Sequence, residues 1–324
     1  MMIDQFAPLL VCPRCRSHLT WSADEARCES CASRYPIVDG IPILVTDQAA
    51  TDHDELEHHH SHKQQQAHFF DRNEAAEFEI TRPHGTARLY QWLLREKFRR
   101  SVKGLESLVR GGTAVTVCSG SGMDAEYLAR LGSRVLATDI SLGAARRTQE
   151  RARRFRLQIG AVVADVERLP FADQAIDLVY VHDGLHHLEN PAAGLVEMAR
   201  VAKQALSVTE PANAAATNLA VRLGWSLERE EAGNRVARLT PAEVVKVARS
   251  HGFRIIHARR YAMYYRHEPG AVFRWLSLPG VFPLITNSWR AANALIGDFG
   301  NKLSVVALRR PLGSHAKRPI TTGC

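Results

Sequence analysis

The chain has 324 residues, of which 45% are hydrophobic and 23% charged, and it carries a formal net charge of +8. This composition is typical of globular proteins and excludes an intrinsically disordered chain, while the length predicts one large domain and a small one. The positive charge favours polyanionic partners such as RNA or anionic lipid, but only weakly, because many basic proteins bind neither.

The N-terminus has no basic segment followed by a long apolar run, so we predict no signal peptide. The most apolar late segment, residues 271–296, is interrupted by arginine, proline and asparagine residues and is predicted not to span a membrane. We therefore expect a cytoplasmic protein, in which cysteines are more often thiols or metal ligands than disulfides.

Two Cys-x-x-Cys pairs lie near the N-terminus, and twelve residues separate them. Two such pairs supply the four thiolates of a tetrahedral zinc site. So short a segment buries too little apolar area to fold alone, and metal binding would supply the missing stability. We predict a zinc ribbon in residues 1–46 whose ion has no open coordination position and is therefore structural. Its predicted ligands are Cys12, Cys15, Cys28 and Cys31.

Residues 47–80 are predicted to form a polar, His-rich linker followed by the first lid helices. The tract 47–62 contains five acidic residues and five histidines. A histidine tract can chelate metal, but an uneven, acid-rich one is more often a hydrated linker, which we favour. A second amphipathic segment covers residues 86–109, and core packing would explain it as well as a lid role.

The apolar segment 114–118 predicts a buried parallel strand that ends in the turn 119–122, and the residues after this turn have helical periodicity. Glycines let the backbone approach a ligand closely, and a helix N-terminus offers unpaired N–H groups. A further strand, 134–138, ends in Asp139, where an acidic residue accepts hydrogen bonds from ribose hydroxyls. The pattern predicts a nucleoside-binding, Rossmann-like fold and leaves a dehydrogenase open.

Two more predicted strands follow: residues 159–164 end at Asp165, and residues 175–181 lead into a segment with three histidines. Together, the segments CSGSG, TDIS, ADVERLPF, AIDLVYVHDGLHHL and EMARVAK resemble the class I S-adenosylmethionine-dependent methyltransferases, in the subgroup that includes quinone-biosynthesis methyltransferases. The resemblance covers residues 69–210 and favours a methyltransferase over a dehydrogenase. It implies that residues 81–310 form an α/β domain, with a Rossmann-like, seven-stranded, mostly parallel sheet and flanking helices.

The resemblance implies S-adenosylmethionine as the cofactor and a role for each matching position. The glycine turn lies under the methionine moiety, Asp139 binds the ribose, and Asp165 receives the adenine amine. Ile140 and Val166 lie beside the adenine ring, and His182 ends the fourth strand near the sulfonium. The implied cofactor-binding residues are Cys118, Ser119, Gly120, Gly122, Asp139, Ile140, Asp165, Val166 and His182.

Two positions depart from the pattern of this family. Thr116 stands where the family usually has an acidic residue that helps to hold the methionine amino group, and Cys118 stands where it has a first glycine. Cys118 could be mistaken for a nucleophile, but its place at a strand end favours a small packed side chain.

Methyl transfer from a sulfonium is an in-line displacement, for which the protein chiefly supplies alignment and exclusion of water. A general base is needed only when the attacking atom must lose a proton. His186 and His187 follow the fourth strand at the substrate end of the sheet and are the candidate catalytic residues, although such a pair can also simply pack or cap. Glu210 and Asn213, after a fifth strand, are expected at the pocket rim.

The C-terminal part is predicted to close the sheet with an antiparallel hairpin of residues 253–265 and 302–308, after a helix that begins at Thr240. The long apolar excursion between these strands, residues 266–301, is a candidate substrate cap, lipid-facing surface or partner surface, with core packing as the preferred alternative. Residues 311–324 are predicted to be a basic, flexible tail.

The ribbon is a second candidate partner surface. Its Cys-Pro-Arg-Cys start and the run 35–44 resemble small zinc-ribbon proteins that act as activating partners of tRNA and other methyltransferases.

Three functions are compatible with these observations. The leading hypothesis is methylation of a small molecule or of a lipid- or glycan-linked biosynthetic intermediate. The alternative is an rRNA or tRNA methyltransferase; the arginine-rich stretch 146–156 fits it, although this stretch is better explained as the solvated face of a helix. The absence of an NPPY-type motif after the fourth strand opposes this alternative. The third hypothesis is a non-catalytic regulatory module that binds the cofactor.

Overall fold

The structure is a computed structural model, and it describes residues 2–46, 62–72, 76–214, 237–265 and 268–310. The helices are α1 (Met2–Phe6), α2 (His62–Asp71), α3 (Ala76–Thr81), α4 (Arg88–Ser101), α5 (Glu106–Val109), α6 (Met123–Arg130), α7 (Leu142–Arg154), α8 (Pro191–Val201), α9 (Pro241–Ser250), α10 (Ala271–Trp275) and α11 (Phe282–Ile296). The strands are β1 (Leu19–Trp21), β2 (Glu25–Cys28), β3 (Arg34–Val38), β4 (Ile41–Leu44), β5 (Thr113–Val117), β6 (Arg134–Asp139), β7 (Ile159–Ala164), β8 (Ile176–His182), β9 (Ala202–Pro211), β10 (Phe253–Tyr261) and β11 (Lys302–Arg309).

One mixed sheet runs through the molecule in the order β1-β2-β3-β4-β7-β6-β5-β8-β9-β11-β10. The six strands from β4 to β9 pair with one another in parallel. Strand β11 runs antiparallel to both β9 and β10, as predicted for the C-terminal hairpin. The chain turns to opposite sides of β5, which pairs with β6 on one side and β8 on the other. Ligands of open α/β sheets bind at such a reversal, at the carboxyl ends of the strands.

The prediction of a seven-stranded sheet beside a separate ribbon is wrong. Among the described residues the sheet has 11 strands, because the ribbon joins it through β4. Ile43 and Leu44 pair in parallel with Val163 and Ala164 of β7. Without this pairing, β7 would be an edge strand with exposed backbone N–H and C=O groups. The pairing satisfies these groups and at the same time anchors the ribbon. The sequence of β4 resembles a ribbon strand, and nothing in it predicts the pairing with β7.

Helices cover both faces of the sheet. On one face, α8, α9 and the N-terminal residues pack on inward side chains of the central strands, such as Val115, Val179 and Val208. On the other face, α4, α6 and α7 pack on the alternate side chains, such as Ala114, Tyr180 and Ala205. The central strands are therefore buried on both sides, which accounts for their nearly continuous apolar sequence.

The arginine-rich stretch is only partly the solvated face that its sequence predicts: Arg146, Arg153 and Arg154 are exposed, but two arginines of α7 turn inward. Arg147 and Arg151 are buried, the second completely. The Arg151 guanidinium donates through Nε to the Ser121 carbonyl (2.7 Å) and through Nη1 to Glu126 Oε2 (2.7 Å). A buried guanidinium needs such partners for its donors, and these bonds tie α7 to the glycine turn.

Helix α9 begins as its sequence predicts, with a capping box between Thr240 and Glu243. Within the described ranges, no helix is both long enough and apolar enough to cross a bilayer. Most of the predicted linker, the segment 215–236 and the tail 311–324 lie outside the described residues. The domain boundaries at residues 46 and 80 stay predictions.

Candidate functional site

The turn after β5 brings the backbone into positive φ at three positions. Cys118, Gly120 and Gly122 have φ values of 51°, 54° and 74°. A Cβ at Gly122 would lie 2.8 Å from the Thr148 side chain, so this glycine allows α7 to pack closely. A Cβ at Gly120 would meet nothing within 4 Å. The space above Gly120 is therefore open on the side where a ligand can approach the backbone.

Cys118 fits its position because Gly184 has no side chain. A Cβ at Gly184 would lie 2.3 Å from the Cys118 Cβ. Burial and the nearby Asp139 carboxylate raise the pKa of Cys118 well above that of an ordinary thiol. The side chain is a protonated thiol at neutral pH, which favours the packed role over a nucleophilic one.

Asp124, on the first turn of α6, supplies a carboxylate that the sequence analysis did not single out. The Thr116 hydroxyl donates to Ser119 Oγ (2.9 Å), and Ser119 Oγ donates to Asp124 Oδ1 (2.7 Å). Asp124 Oδ2 is buried and has no hydrogen-bond partner among the described residues. A chain of hydroxyls thus links an acid to Thr116, the position where the family resemblance implies one.

Asp139, at the end of β6, has its carboxylate beside the glycine turn. Oδ2 accepts a hydrogen bond from the Gly120 amide (2.8 Å), and Oδ1 accepts one from the Ser141 amide (3.0 Å). Burial raises the pKa of this carboxyl, while the two amide donors oppose the rise. The backbone fixes the carboxylate next to the open space over Gly120, and Ile140 follows it in the same loop.

Helix α2 lies across the ends of β6 and β7. Its Lys63 Nζ is 2.6 Å from Asp165 Oδ2 and 2.5 Å from Glu167 Oε2. Its last residue, Asp71, accepts hydrogen bonds from the Ser141 hydroxyl and the Gly143 amide, both at 2.7 Å. The Asp165 carboxylate, predicted to receive an adenine amine, is thus already in contact with a lysine that the sequence analysis did not consider.

The two candidate catalytic histidines have different surroundings. His186 Nδ1 lies 2.8 Å from Glu210 Oε2, and the other oxygen of Glu210 accepts hydrogen bonds from the Gly184 and Leu185 amides (2.8 Å each). His187 instead stacks edge-on against an aromatic ring of α2, at 5.4 Å between ring centroids. A carboxylate that orients Nδ1 of a histidine is the usual support of a general base, so the geometry favours His186.

Three charged residues from distant parts of the chain meet where β8 ends. The ammonium of Lys97 (α4) and that of Lys302 (start of β11) both contact the Asp183 carboxylate, Lys302 at 3.0 Å from each oxygen. His182 precedes Asp183 and is half-buried beside them. No local pattern could have identified this cluster, because its members are separated by about 80 to 200 positions and only the sheet brings them together.

The four predicted zinc ligands form a compact cluster. Their Sγ atoms all lie within 4.8 Å of one another, with Cys12 and Cys31 at 3.6 Å and Cys15 and Cys28 at 3.4 Å. Tetrahedral zinc with bonds of about 2.3 Å needs sulfur separations of about 3.8 Å, so the cluster fits this ion. The Tyr35 hydroxyl lies 3.1 Å from Cys12 Sγ, where it can donate a supporting hydrogen bond.

Comparison with protein families agrees with this geometry. Residues 115–205 match the family model described as a methyltransferase domain. This match covers less than half of the chain. The domain is similar to demethylmenaquinone methyltransferases of Corynebacterium urealyticum (36% identity over 111 residues, 34% of this chain and 44% of the relative) and Thermobifida fusca (30% over 138 residues, 41% and 58%). The chain spans about half the length of these curated relatives.

Solved structures share the fold. Magnesium protoporphyrin IX methyltransferase from Synechocystis PCC 6803 with bound SAH matches 75% of this chain and 98% of its own, with a TM-score of 0.52 and 17% identity. A (4+2)-cyclase matches 75% of this chain and 94% of its own, with a TM-score of 0.51 and 17% identity. At such identities the likeness establishes the fold alone, and the second structure illustrates that one fold serves different reactions.

Proposed function

We propose that the protein is an S-adenosylmethionine-dependent methyltransferase that acts on a small molecule. The observation that carries this proposal is the arrangement of Gly120, Asp139 and Asp165, which follow or end the adjacent parallel strands β5, β6 and β7 along one edge of the sheet. Two carboxylates in these places suit the ribose hydroxyls and the adenine amine of one nucleoside. The methyltransferase-domain match of residues 115–205 supports the same proposal.

The bound cofactor would supply an activated methyl group on its sulfonium. The chain's own residues would bind and align the two reactants and exclude water from between them. We assign the methionine end to Ser119, Gly120 and Gly122, and its ammonium group to Asp124, whose second oxygen is buried without a described partner. Val166 and Ile140 would line the adenine, with Cys118 packed behind the turn.

His186 would act as the general base where the acceptor must lose a proton. Glu210 accepts the Nδ1 proton of this imidazole, which leaves Nε2 as the basic nitrogen. His187 would contribute to the wall of the pocket rather than to proton transfer, since its ring packs against α2.

We also propose that Cys12, Cys15, Cys28 and Cys31 hold one structural zinc ion. The four thiolates fill its coordination shell, so the ion would stabilise the ribbon and take no part in methyl transfer. The mutual distances of the Sγ atoms support this assignment.

A lipid-linked acceptor is the finer proposal for the substrate. The segment between β10 and β11 exposes large apolar side chains, with Trp275, Leu284, Leu295 and Phe299 exposed by 59%, 68%, 83% and 76%. This segment leaves and rejoins the sheet at the edge that carries the site, because Lys302 pairs with the last residue of β9. An apolar surface beside a small-molecule site favours an acceptor with an apolar chain, and the names of the similar demethylmenaquinone methyltransferases agree with it. The burial of Arg147 and Arg151 removes part of the support for the RNA alternative.

The test is transfer of a radiolabelled methyl group from S-adenosylmethionine to fractionated small molecules, extracted lipids and RNA. We expect label in the lipid or small-molecule fraction. Label confined to RNA would instead establish the alternative, and cofactor binding without transfer to any fraction would favour the regulatory module.

A further inference from the structure

Buried polar side chains form a row on one face of the sheet, at the end that carries the site. His182, Thr209 and Ser304 lie opposite one another on β8, β9 and β11. Residues in register on neighbouring strands point to the same face of a sheet. Tyr261 lies opposite Lys302, two residues from Ser304, and so belongs to the same face. We call these residues the polar row: His182, Thr209, Ser304 and Tyr261.

Each member of the polar row has a side-chain atom without a hydrogen-bond partner in the part of the chain that the structure describes. His182 Nε2, Thr209 Oγ1, Ser304 Oγ and Tyr261 OH are all buried and have no hydrogen-bond partner among the described residues. Buried polar atoms are almost always paired, and leaving one unpaired is costly. Four such atoms on one face therefore indicate a polar ligand or water above the row.

The cluster beside the polar row has one positive charge in excess. Lys97, whose side chain is fully buried, contacts Asp183 and also donates to the Tyr265 hydroxyl (2.9 Å), while Lys302 is 15% exposed and contacts the same carboxylate. Burial alone would raise the pKa of Asp183, but Lys302 and Lys97 outweigh it and hold this pKa well below its usual range. The cluster thus contains one ionised carboxylate and two ammonium groups.

Within the described ranges, the neighbouring acidic side chains have other partners and leave the excess charge in place. Burial, reinforced by the Lys97 charge, lowers the pKa of His182 well below its usual value, so its imidazole is neutral. Glu79 pairs with Arg82 (3.0 Å), and Glu210 faces His186. A buried charge without a counter-charge is costly, and an anion bound above the row would offset this cost.

We propose that the polar row and the Lys97–Asp183–Lys302 cluster form the acceptor pocket, and that the substrate binds there through an oxyanion, either a carboxylate or an ionised phenol. This inference rests on the proposed function, since it assigns the pocket to the methyl acceptor. Lys302 and the hydroxyls of the polar row donate hydrogen bonds to the oxyanion. The position suits an acceptor, because the cluster lies where β8 ends, at the edge of the sheet that carries the proposed cofactor site.

The test measures binding of simple aromatic probes to the full chain by calorimetry, with S-adenosylhomocysteine present. Benzoate represents a carboxylate, 4-nitrophenolate an ionised phenol, and benzamide a neutral compound of similar shape. We expect at least one anion to bind and benzamide not to bind, and the anion that binds identifies the source of the oxyanion. Lys302→Met should weaken its binding at least about tenfold, which is the effect of losing one charge-assisted hydrogen bond.

The matched control is Lys103→Met, which removes the same charge from an exposed lysine just beyond α4 and should leave anion binding unchanged. Thr209→Val removes one hydroxyl of the polar row without changing any charge and should weaken the same anion several-fold, which keeps the proposal testable if Lys302→Met fails to fold. Binding of benzamide as tight as that of the better-binding anion, binding of none of the probes, or equal affinities in the two lysine variants would overturn the proposal. A separate titration with S-adenosylmethionine distinguishes failure of the acceptor pocket from failure of the proposed function. If the cofactor does not bind, the proposed function itself is wrong.

Discussion

At the scale of single residues, the site combines positions that sequence motifs indicate with others that only the fold reveals. Asp139 and Asp165 follow predicted strands, so their places at the sheet edge could be inferred from the sequence. Asp124 and Asp183 could not, because one acts through a chain of hydroxyls and the other through lysines from distant elements. A sequence motif can identify a site residue only when the residues that define its role lie close to it in the sequence.

The first prediction concerns Asp124. Burial raises its pKa to about 7, whereas an unfolded aspartate ionises near pH 3.9. Between these two pH values the unfolded chain loses the proton while the folded protein retains it, so the free energy of unfolding falls as the pH rises. Asp124→Asn removes this cost. At pH 8 we expect the variant without cofactor to melt a few degrees higher than wild type, with no such gain near pH 4.

The same substitution should weaken S-adenosylmethionine binding about tenfold at pH 8, since the methionine ammonium loses its carboxylate. Asp177→Asn is the matched control, because Asp177 lies near the start of β8 and accepts a hydrogen bond from the Thr113 amide, far from the glycine turn. It should leave cofactor affinity unchanged. Wild-type affinity in Asp124→Asn would contradict the assigned contact, even if the melting temperature rises.

The second prediction concerns the His186–Glu210 pair. In Glu210→Gln, the amide oxygen can still accept from the Gly184 and Leu185 amides, but the amide nitrogen then faces His186 Nδ1. This nitrogen is a donor, so the imidazole must carry its proton on Nε2 and cannot act as a base there. We expect kcat to fall about a hundredfold with an altered pH profile, while the cofactor affinity measured by calorimetry stays the same. An unchanged kcat would show that no base of this kind is used.

At the scale of secondary-structure elements, periodicity predicted the central strands well and their partners poorly. The bounds of β7 agree with the prediction for residues 159–164. A short apolar run that contains β-branched residues and lies between polar residues is typical of a buried strand. The pairing of β4 with β7 was not predicted, because backbone hydrogen bonds of a parallel pair leave no trace in the side-chain pattern. The ribbon is consequently part of the sheet.

A prediction about the ribbon follows from this pairing. Purified protein should contain one zinc ion per chain, and Cys28→Ser should abolish it. Because β4 covers the edge of β7, loss of the metal should also lower the melting temperature of the whole protein and promote association through the uncovered edge. Metal analysis, thermal melting and light scattering measure the three effects. Cys118→Ser, a cysteine outside the cluster, should retain the zinc; zinc-free wild-type protein with an unchanged melting temperature would refute the assignment.

At the scale of the whole molecule, the features assigned to chemistry converge on one edge of the sheet. Strands β5 to β9 run parallel to one another, so their carboxyl ends all reach this edge. The antiparallel β11 starts there too and contributes Lys302, and α2 crosses above. The central parallel strands could be predicted from the sequence because strands and glycine turns are local patterns, but the joining of the ribbon to the sheet could not. The cluster of Lys97, Asp183 and Lys302 is a product of the assembled topology.

The most direct test of the account is a calorimetric titration of the full chain with S-adenosylmethionine, with Asp139→Ala and Asp173→Ala as variants. Asp173 pairs with Arg200 and is 66% exposed, just before β8 begins, so its loss should not affect the cofactor. We predict that the wild-type chain binds one cofactor, that Asp139→Ala weakens binding at least about tenfold, and that Asp173→Ala binds like wild type. Absence of binding at millimolar cofactor, or wild-type affinity in Asp139→Ala, would contradict the account.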